Sequence, residues 1–352
     1  MAPAAVLGAV LVTIALTAVP IRLAGANPAA AFQRYLVTPL TSAAGVYEVL
    51  LTATPLLFTG MAVAIAFRAG YWNIGAEGQF LAGAIGTTAM GLWLPDLPGP
   101  LAIPLGFVAG AVGGLAWATL PAWLKRRAGI DEVVTTLLLN PVALLLVQGL
   151  LNGPWRNSTT GFTDSDRLGA GYDLPALIPG TRVHWGFGVA VIVIAVAGLV
   201  LARTATGVRI KASGQAPHAA EFSGIAVGRL QWRCALVSGA IAGLGGASQV
   251  MGVQHQLTAG ISNNYGYTGV IVATLGGLTA LGVLLVAGLL GDIFVGAQNV
   301  SLVLQVPTQL GGIFSALLLL TVLSAMSFRK YRIRWRRAAP AKPVRVGREG
   351  SP

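Results

Sequence analysis

The sequence predicts an all-α, polytopic membrane protein. Three observations predict it. Of 352 residues, 55% are hydrophobic and only 10% are charged, against about 25% charged in soluble domains. The mean hydropathy is +0.74. Runs such as "FGVAVIVIAVAGLVLA" at 187–202 supply, with their flanks, the roughly 20 apolar residues a helix needs to cross hydrocarbon. These runs are continuous rather than alternating, so they are helices and not barrel strands.

Hydrophobic segments fall in order at about 4–24, 47–67, 73–94, 100–124, 133–151, 184–202, 232–252, 267–280, 281–305 and 309–327. The first has no Lys or Arg before Arg22. It lacks the basic start of a cleaved signal peptide and reads as an uncleaved span. The segment at 267–280 is too short to cross alone. It reads as a broken or re-entrant helix sheltered by protein. The single cysteine, Cys234, has no internal disulfide partner and reads as a small apolar filler.

Charge sets the topology. The net charge of +12 does not point to nucleic acid, because nine of the 23 basic residues sit in the tail Arg329–Arg348, directly after an apolar helix. With alternating spans, one side holds Arg68, the 125–127 cluster, the five basic residues of 203–233 and the tail. The other holds Arg22, Arg34, Arg156, Arg167 and Arg182. Eighteen against five places both termini in the cytoplasm by the positive-inside rule. Residues 152–183 then form an ordered external loop.

Polar residues inside such a chain need a reason. "RAGYWNIGAEGQ" at 68–79 interrupts an apolar region with Asn73, Glu77 and Gln79. A carboxylate at such a position costs about 2.5–3.5 kcal/mol and faces an interior or a watery cavity. Glu77 either contacts a solute, or satisfies the N–H groups of a restarting helix with Asn73 as its N-cap. Tyr71 reads as an interface aromatic, while Trp72 fits either an interface belt or a flat solute. Asn140, Gln249, Asn263, Asn264, Tyr265 and Gln298 are further polar groups in or beside spans, suited to a neutral polar solute or to bonding between helices. Asp292 lies near a helix midpoint and either pairs or faces water.

Two further patterns stand out. "AGYWNIGAEGQFLAGAIG" (69–86) is echoed by "AGISNNYGYTGVIVATLGG" (259–277). The topology starts these copies on opposite sides, as inverted repeats with Gly-interrupted helices do. The 203–233 segment is long, basic and punctuated by Gly207, Gly214 and Pro217. "HAAEFSGIAV" after Pro217 predicts a short exposed helix that docks into another protein. No phosphate-binding loop, metalloprotease, hydrolase or Cys/His metal motif occurs, and His184, His218 and His255 read as span-end or loop residues. No chain of buried acids suggests a proton relay. An ion-driven transporter is therefore a weaker alternative, and a membrane enzyme weaker still.

The spelling "RAGYWNIGAEGQF" resembles the signature of membrane permeases in bacterial ABC importers of the ribose and nucleoside class, closest to the nucleoside type. "DEVVTTLLLN" (131–140), "KASGQAPHAAEFSGI" (211–225) and "GYTGVIVATLGGLTALGVLL" (266–285) extend the resemblance in order across 47–327. Ala219-Ala220-x-x-x-Gly224 is similar to the core of the general importer motif. His218 stands where Glu is usual, and the downstream Ile-x-x-Pro is missing.

The resemblance implies about eight to ten helices and a permease dimer, homo- or hetero-. It also implies cytoplasmic ATPase subunits that bind the ATP, with no cofactor on this chain, an extracytoplasmic binding protein, and a bacterial inner-membrane location. It implies a substrate pathway with Trp72, Asn73, Glu77, Gln79, Asn140, Asn263 and Tyr265. ATPase coupling falls to Arg209, Lys211, Gly214, Pro217, Ala219, Ala220 and Gly224. The expected organisation is a first helix and external segment (1–46), a first repeat (47–151), an external loop and connecting helix (152–202), a coupling loop (203–231), a second repeat (232–327) and a basic tail (328–352). The expected cargo is a nucleoside or a related small polar solute. A simple sugar or branched-chain amino acid is the alternative.

Overall fold

The computed structural model describes residues 3–157, 159–304, 307 and 309–330. The basic tail from 331 onward lies outside the described residues. Thirteen α-helices run through the described residues: α1 (Pro3–Leu23), α2 (Pro28–Leu36), α3 (Ala43–Arg68), α4 (Ala76–Trp93), α5 (Gly99–Ala128), α6 (Glu132–Asn152), α7 (Trp185–Arg203), α8 (Ala205–Gln215), α9 (Pro217–Phe222), α10 (Val227–Gln249), α11 (Tyr265–Leu275), α12 (Ala280–Leu304) and α13 (Gln309–Lys330). Six of these, α3, α5, α6, α7, α10 and α12, are long and apolar enough to cross a membrane. A seventh span is added if α1 and α2, bent by 119°, are one. The fold is all-α, as the sequence predicts.

The ends follow local chemistry. Asp131 caps α6, its carboxylate accepting the Val133 N–H at 2.7 Å, so only 129–131 of "KRRAGIDE" lies outside the helices, as a tight turn between α5 and α6. Gly129 turns that corner in the left-handed region (φ 66°), where a Cβ would be strained. Asn27, Ser42 and Thr204 cap α2, α3 and α8 with side-chain oxygens.

Burial sorts the spans. In α3 and α10 the apolar windows are 89% and 78% buried; in α5, α6 and α7 they are 22–28%. So α3 and α10 form the centre. Lipid-like apolarity cannot itself hold helices together in a membrane, so close contact must. It is made through glycine. Gly83, Gly110, Gly114 and Gly243 bring the backbones of α4, α5 and α10 into direct contact, and a Cβ on Gly243 would meet the Gly110 carbonyl.

The two ends of the bundle are chemically distinct. At one, Arg68 Nη1 donates to Leu278 O at 3.3 Å, Lys125 pairs with Glu132, and Gln231 reaches Gly70 O. This basic side gathers Arg68, the 125–127 cluster and the 203–233 segment. At the other, Tyr172 OH lies 3.2 Å from the Met90 and Leu94 carbonyls, and Arg182 lies 3.4 Å from Glu48. The described residues of the 152–183 loop pack there, with Leu174 N bonded to Met251 O.

Three expectations change in detail. The segment expected to start at 73 becomes helical only at Ala76. The helix after Pro217 is six residues long rather than ten, because Gly224 (φ 81°) ends it. The 203–233 segment is mostly helical.

Candidate functional site

The stretch 69–75, between α3 and α4, enters the bundle from the basic side outside any helix, and the first turn of α4 leaves N–H groups without helical partners. A buried peptide group without a partner costs free energy, so the partners must come from elsewhere. One face of α6 supplies them. Glu132, Thr136 and Asn140, four residues apart, form a ladder along that face. Glu132 Oε1 accepts the Trp72 N–H at 3.2 Å, Thr136 Oγ1 the Ile74 N–H at 3.2 Å, and Asn140 Oδ1 the Gly78 N–H at 2.9 Å. Asn140 Nδ2 also donates to Ile74 O at 2.9 Å.

Asn73 and Gln79 are clamped to each other by two hydrogen bonds between their side-chain amides, Asn73 Nδ2 donating to Gln79 Oε1 at 2.9 Å and Gln79 Nε2 to Asn73 Oδ1 at 3.1 Å. Asn73 also donates to Ser238 Oγ at 2.9 Å, and Ser238 donates to Ala62 O on α3. Ser238 is about 16 Å along α10 from its start, near half the roughly 30 Å of hydrocarbon. Asn73 is not the N-cap of α4. Gly75 holds that place, and the Asn73 carbonyl oxygen Oδ1 accepts the Gly75 N–H instead.

Glu77 ties the two halves of the chain. Its Oε2 accepts the Gly266 N–H at 2.7 Å, across 189 residues, and Ser262 and the Tyr267 N–H also bond the carboxylate. The N–H groups it satisfies belong to the first turn of α11, not of its own helix. A carboxylate there also meets the positive end of the α11 dipole. From this junction α4 runs toward Leu168 and Tyr172 on the loop side, while α11 runs toward Leu278 and Arg68 on the basic side. The two echoing segments therefore begin together and point apart.

Beside the junction lies a polar cavity of about 200 Å³ on the loop side. Tyr265, the first residue of α11, lines it with Gln249, Gln254, Asn263 and Gln298, and the Glu48–Arg182 pair stands at the same cavity. Uncharged amides both donate and accept, and the one ion pair cancels its own charge. The lining suits a neutral, hydroxyl-bearing solute.

The expected pathway residues thus separate. Asn263 and Tyr265 line the cavity. Glu77 holds the junction. Asn73, Gln79 and Asn140, none more than 1% exposed, support the unwound stretch. Trp72 is 54% exposed and sits at the basic side in a different cavity, with Arg68 and Lys211. Asp292 is buried, and its Oδ1 has no hydrogen-bond partner among the described residues. Among the coupling residues, Arg209, Lys211 and Gly214 lie on α8, Pro217, Ala219 and Ala220 on α9, and Gly224 follows. Sequence reasoning missed Glu132, Thr136 and Ser238. The four-residue spacing of polar side chains on a predicted apolar helix was the available signal for the first two.

Asn140→Leu tests the ladder. It leaves the Gly78 N–H and Ile74 C=O buried without partners, at about 1–3 kcal/mol each. The expected result is a clear drop in the thermal midpoint of the detergent-purified protein. An unchanged midpoint would show that the ladder bears no load.

Comparison with known proteins fits this arrangement. The family model described as "Branched-chain amino acid transport system / permease component" matches residues 45–323. The glucose ABC transporter permease protein TsgB13 of Haloferax volcanii is 34% identical over 92% of this chain and 88% of its own. The guanosine ABC transporter permease protein NupP of Bacillus subtilis is 32% identical over 80% and 82%. The nucleoside ABC transporter permease protein NupB of Lactococcus lactis is 31% identical over 79% of each. No solved structure matches the chain. With its helical bundle, its junction of two broken segments and a family match over most of its length, this chain belongs to the permease-component family of ABC transport systems.

Proposed function

We propose that the chain is the membrane-spanning subunit of an ATP-driven importer that carries nucleosides toward the basic side, which faces the cytoplasm of a bacterial inner membrane. The observation that carries this is the neutral polar cavity ending on Tyr265, beside the point where α4 and α11 meet. Tyr265 offers a ring to a base, and the amides offer partners to ribose hydroxyls. The names of the relatives from Bacillus subtilis and Lactococcus lactis support this cargo. A monosaccharide is the second reading. It is favoured by the cavity's size of about 200 Å³, below the roughly 300–1,000 Å³ of typical small-molecule sites, and by the glucose relative.

ATP binding and hydrolysis belong to partner subunits, and the chain makes no bonds itself. A second permease and an external binding protein complete the system. Both termini lie in the cytoplasm; packing of Val10 with Leu318, Val322 and Leu275 supports one side for both.

Force enters through α8 and α9. Phe222, at the end of α9, is 94% exposed, an apolar contact for an ATPase. From there the linkage is short. Ser213 Oγ on α8 donates to Ala69 O at 3.0 Å, and Gln231 grips Ala69 O and Gly70 O at 3.3 and 3.2 Å. Gly70 turns with φ 80°, and Gly214 lies against the Arg68 carbonyl with no room for a Cβ. A displacement of α8 therefore pulls the stretch that ends on Glu77.

Gly214→Val is expected to leave the ATPase bound and hydrolysing while uptake falls roughly tenfold, as a lost positioning contact does. Unchanged uptake would break the linkage. The function itself is tested by uptake of labelled guanosine, glucose and leucine in cells with and without the gene and its ATPase. Uptake that persists without the ATPase overturns the reading.

A further inference from the structure

We infer that an anionic phospholipid occupies a groove between α7 and α10, with an acyl chain against the helices and its phosphate on Arg209, Arg229 and Arg233. The groove has a volume of about 420 Å³ and is lined by Ile192, Val196 and Val200 of α7 and by Cys234, Val237 and Ile241 of α10. It opens outward: Ile192, Val196 and Val237 are about half exposed. From Val200 to Ile192 is about 12 Å along the helix, close to the depth of one leaflet's hydrocarbon.

At its basic end the groove changes character. A second cavity, of about 330 Å³, is lined by Arg209, Arg229 and Arg233 together with Ser223, Gly224 and Ala226. The two cavities share Leu230 and Arg233, so apolar groove and cationic pocket are continuous. No carboxylate lines either. None of the three arginines is ion-paired with a described residue. The first turn of α10 begins beside the pocket without a side-chain cap, adding the positive end of a helix dipole. Guanidinium groups match phosphate oxygens in paired hydrogen bonds, and basic pockets between spanning helices on the cytoplasmic side select anionic headgroups.

An acidic surface of the ATPase would neutralise the arginines but leave the apolar groove open. A phospholipid covers both at once. It would also touch α8 through Ile210 and the end of α9 through Ser223 and Gly224, the elements through which force enters. The leaflet assignment rests on the proposed orientation; the site itself does not.

The test is lipid retention by the purified full transporter complex, read by native mass spectrometry after exchange into mixed phosphatidylglycerol–phosphatidylcholine nanodiscs. Wild type is expected to retain phosphatidylglycerol over phosphatidylcholine by roughly tenfold or more. The R229Q/R233Q variant, which spares the coupling residue Arg209, is expected to lose most of that preference with its ATPase still attached. Val196→Trp with Val237→Trp, which fills the groove and keeps the arginines, is expected to lose the lipid as well. Equal retention of the two lipids by wild type overturns the site. So does an arginine variant that sheds the ATPase while keeping the lipid, since that assigns the arginines to subunit docking. Retention is measured without transport, so failure of the importer reading would leave this result standing.

Discussion

Replacing Glu77 with alanine is expected to cut uptake by roughly tenfold or more while the chain still reaches the membrane. The carboxylate satisfies the first turn of α11, bonding Gly266 at 2.7 Å and also Ser262 and Tyr267. Alanine strands those N–H groups in a buried site, at about 1–3 kcal/mol each, and each 1.4 kcal/mol is a factor of about ten. Insertion depends on the apolar spans, which the substitution leaves intact. The loss therefore falls on the geometry of the junction and not on the amount of protein. Glu77→Gln keeps an acceptor but gives up charge–dipole attraction worth up to about 2 kcal/mol, so its uptake is expected to lie between the two. The measurement is labelled-solute uptake normalised to immunoblotted membrane protein. Wild-type uptake by the alanine variant would remove the junction from the transport mechanism.

Gly243→Val is expected to abolish the folded bundle. Gly243 sits between two backbones: its own added Cβ would meet the Gly110 carbonyl and Gly114, and Gly83 presses against it from α4. Overpacking a well-packed site costs about 1–3 kcal/mol even where side chains can move. Here the obstacle is main chain, which cannot rotate away, so α4, α5 and α10 must separate together. The expected readout is loss of the monodisperse peak on size-exclusion chromatography after solubilisation. Gly288→Val on α12 is the control, since nothing lies within 4 Å of its Cβ position. Equal yields of the two variants would show that the glycine contacts do not hold the bundle.

Much of the site was legible before the fold. Intramembrane polar residues are costly, so Glu77, Asn73, Gln79 and Asn140 announced themselves by being there at all. Their division of labour was not legible. Asn73 looked like a helix cap because such residues commonly are; its actual partners, Gln79 and Ser238, follow from how α4 and α10 approach. The partner of Glu77 lies 189 residues away, and no local rule joins such positions. Gln249 and Gln298 carry no mark that separates a cavity wall from a bond between helices until both appear on one cavity.

By itself the sequence determined the membrane class, the helical spans, the side on which basic residues gather and the broken character of 68–79 and 259–277. These are one-dimensional quantities: apolar run length, charge position and glycine spacing act on the chain wherever it lies. Only the tertiary structure decided that the two broken segments meet head to head, that α6 supplies the hydrogen bonds the first one lacks, and that α8 holds its turn at Ala69 and Gly70. Those outcomes depend on which backbones glycine allows to touch, and contact between distant segments is a property of the assembled bundle alone.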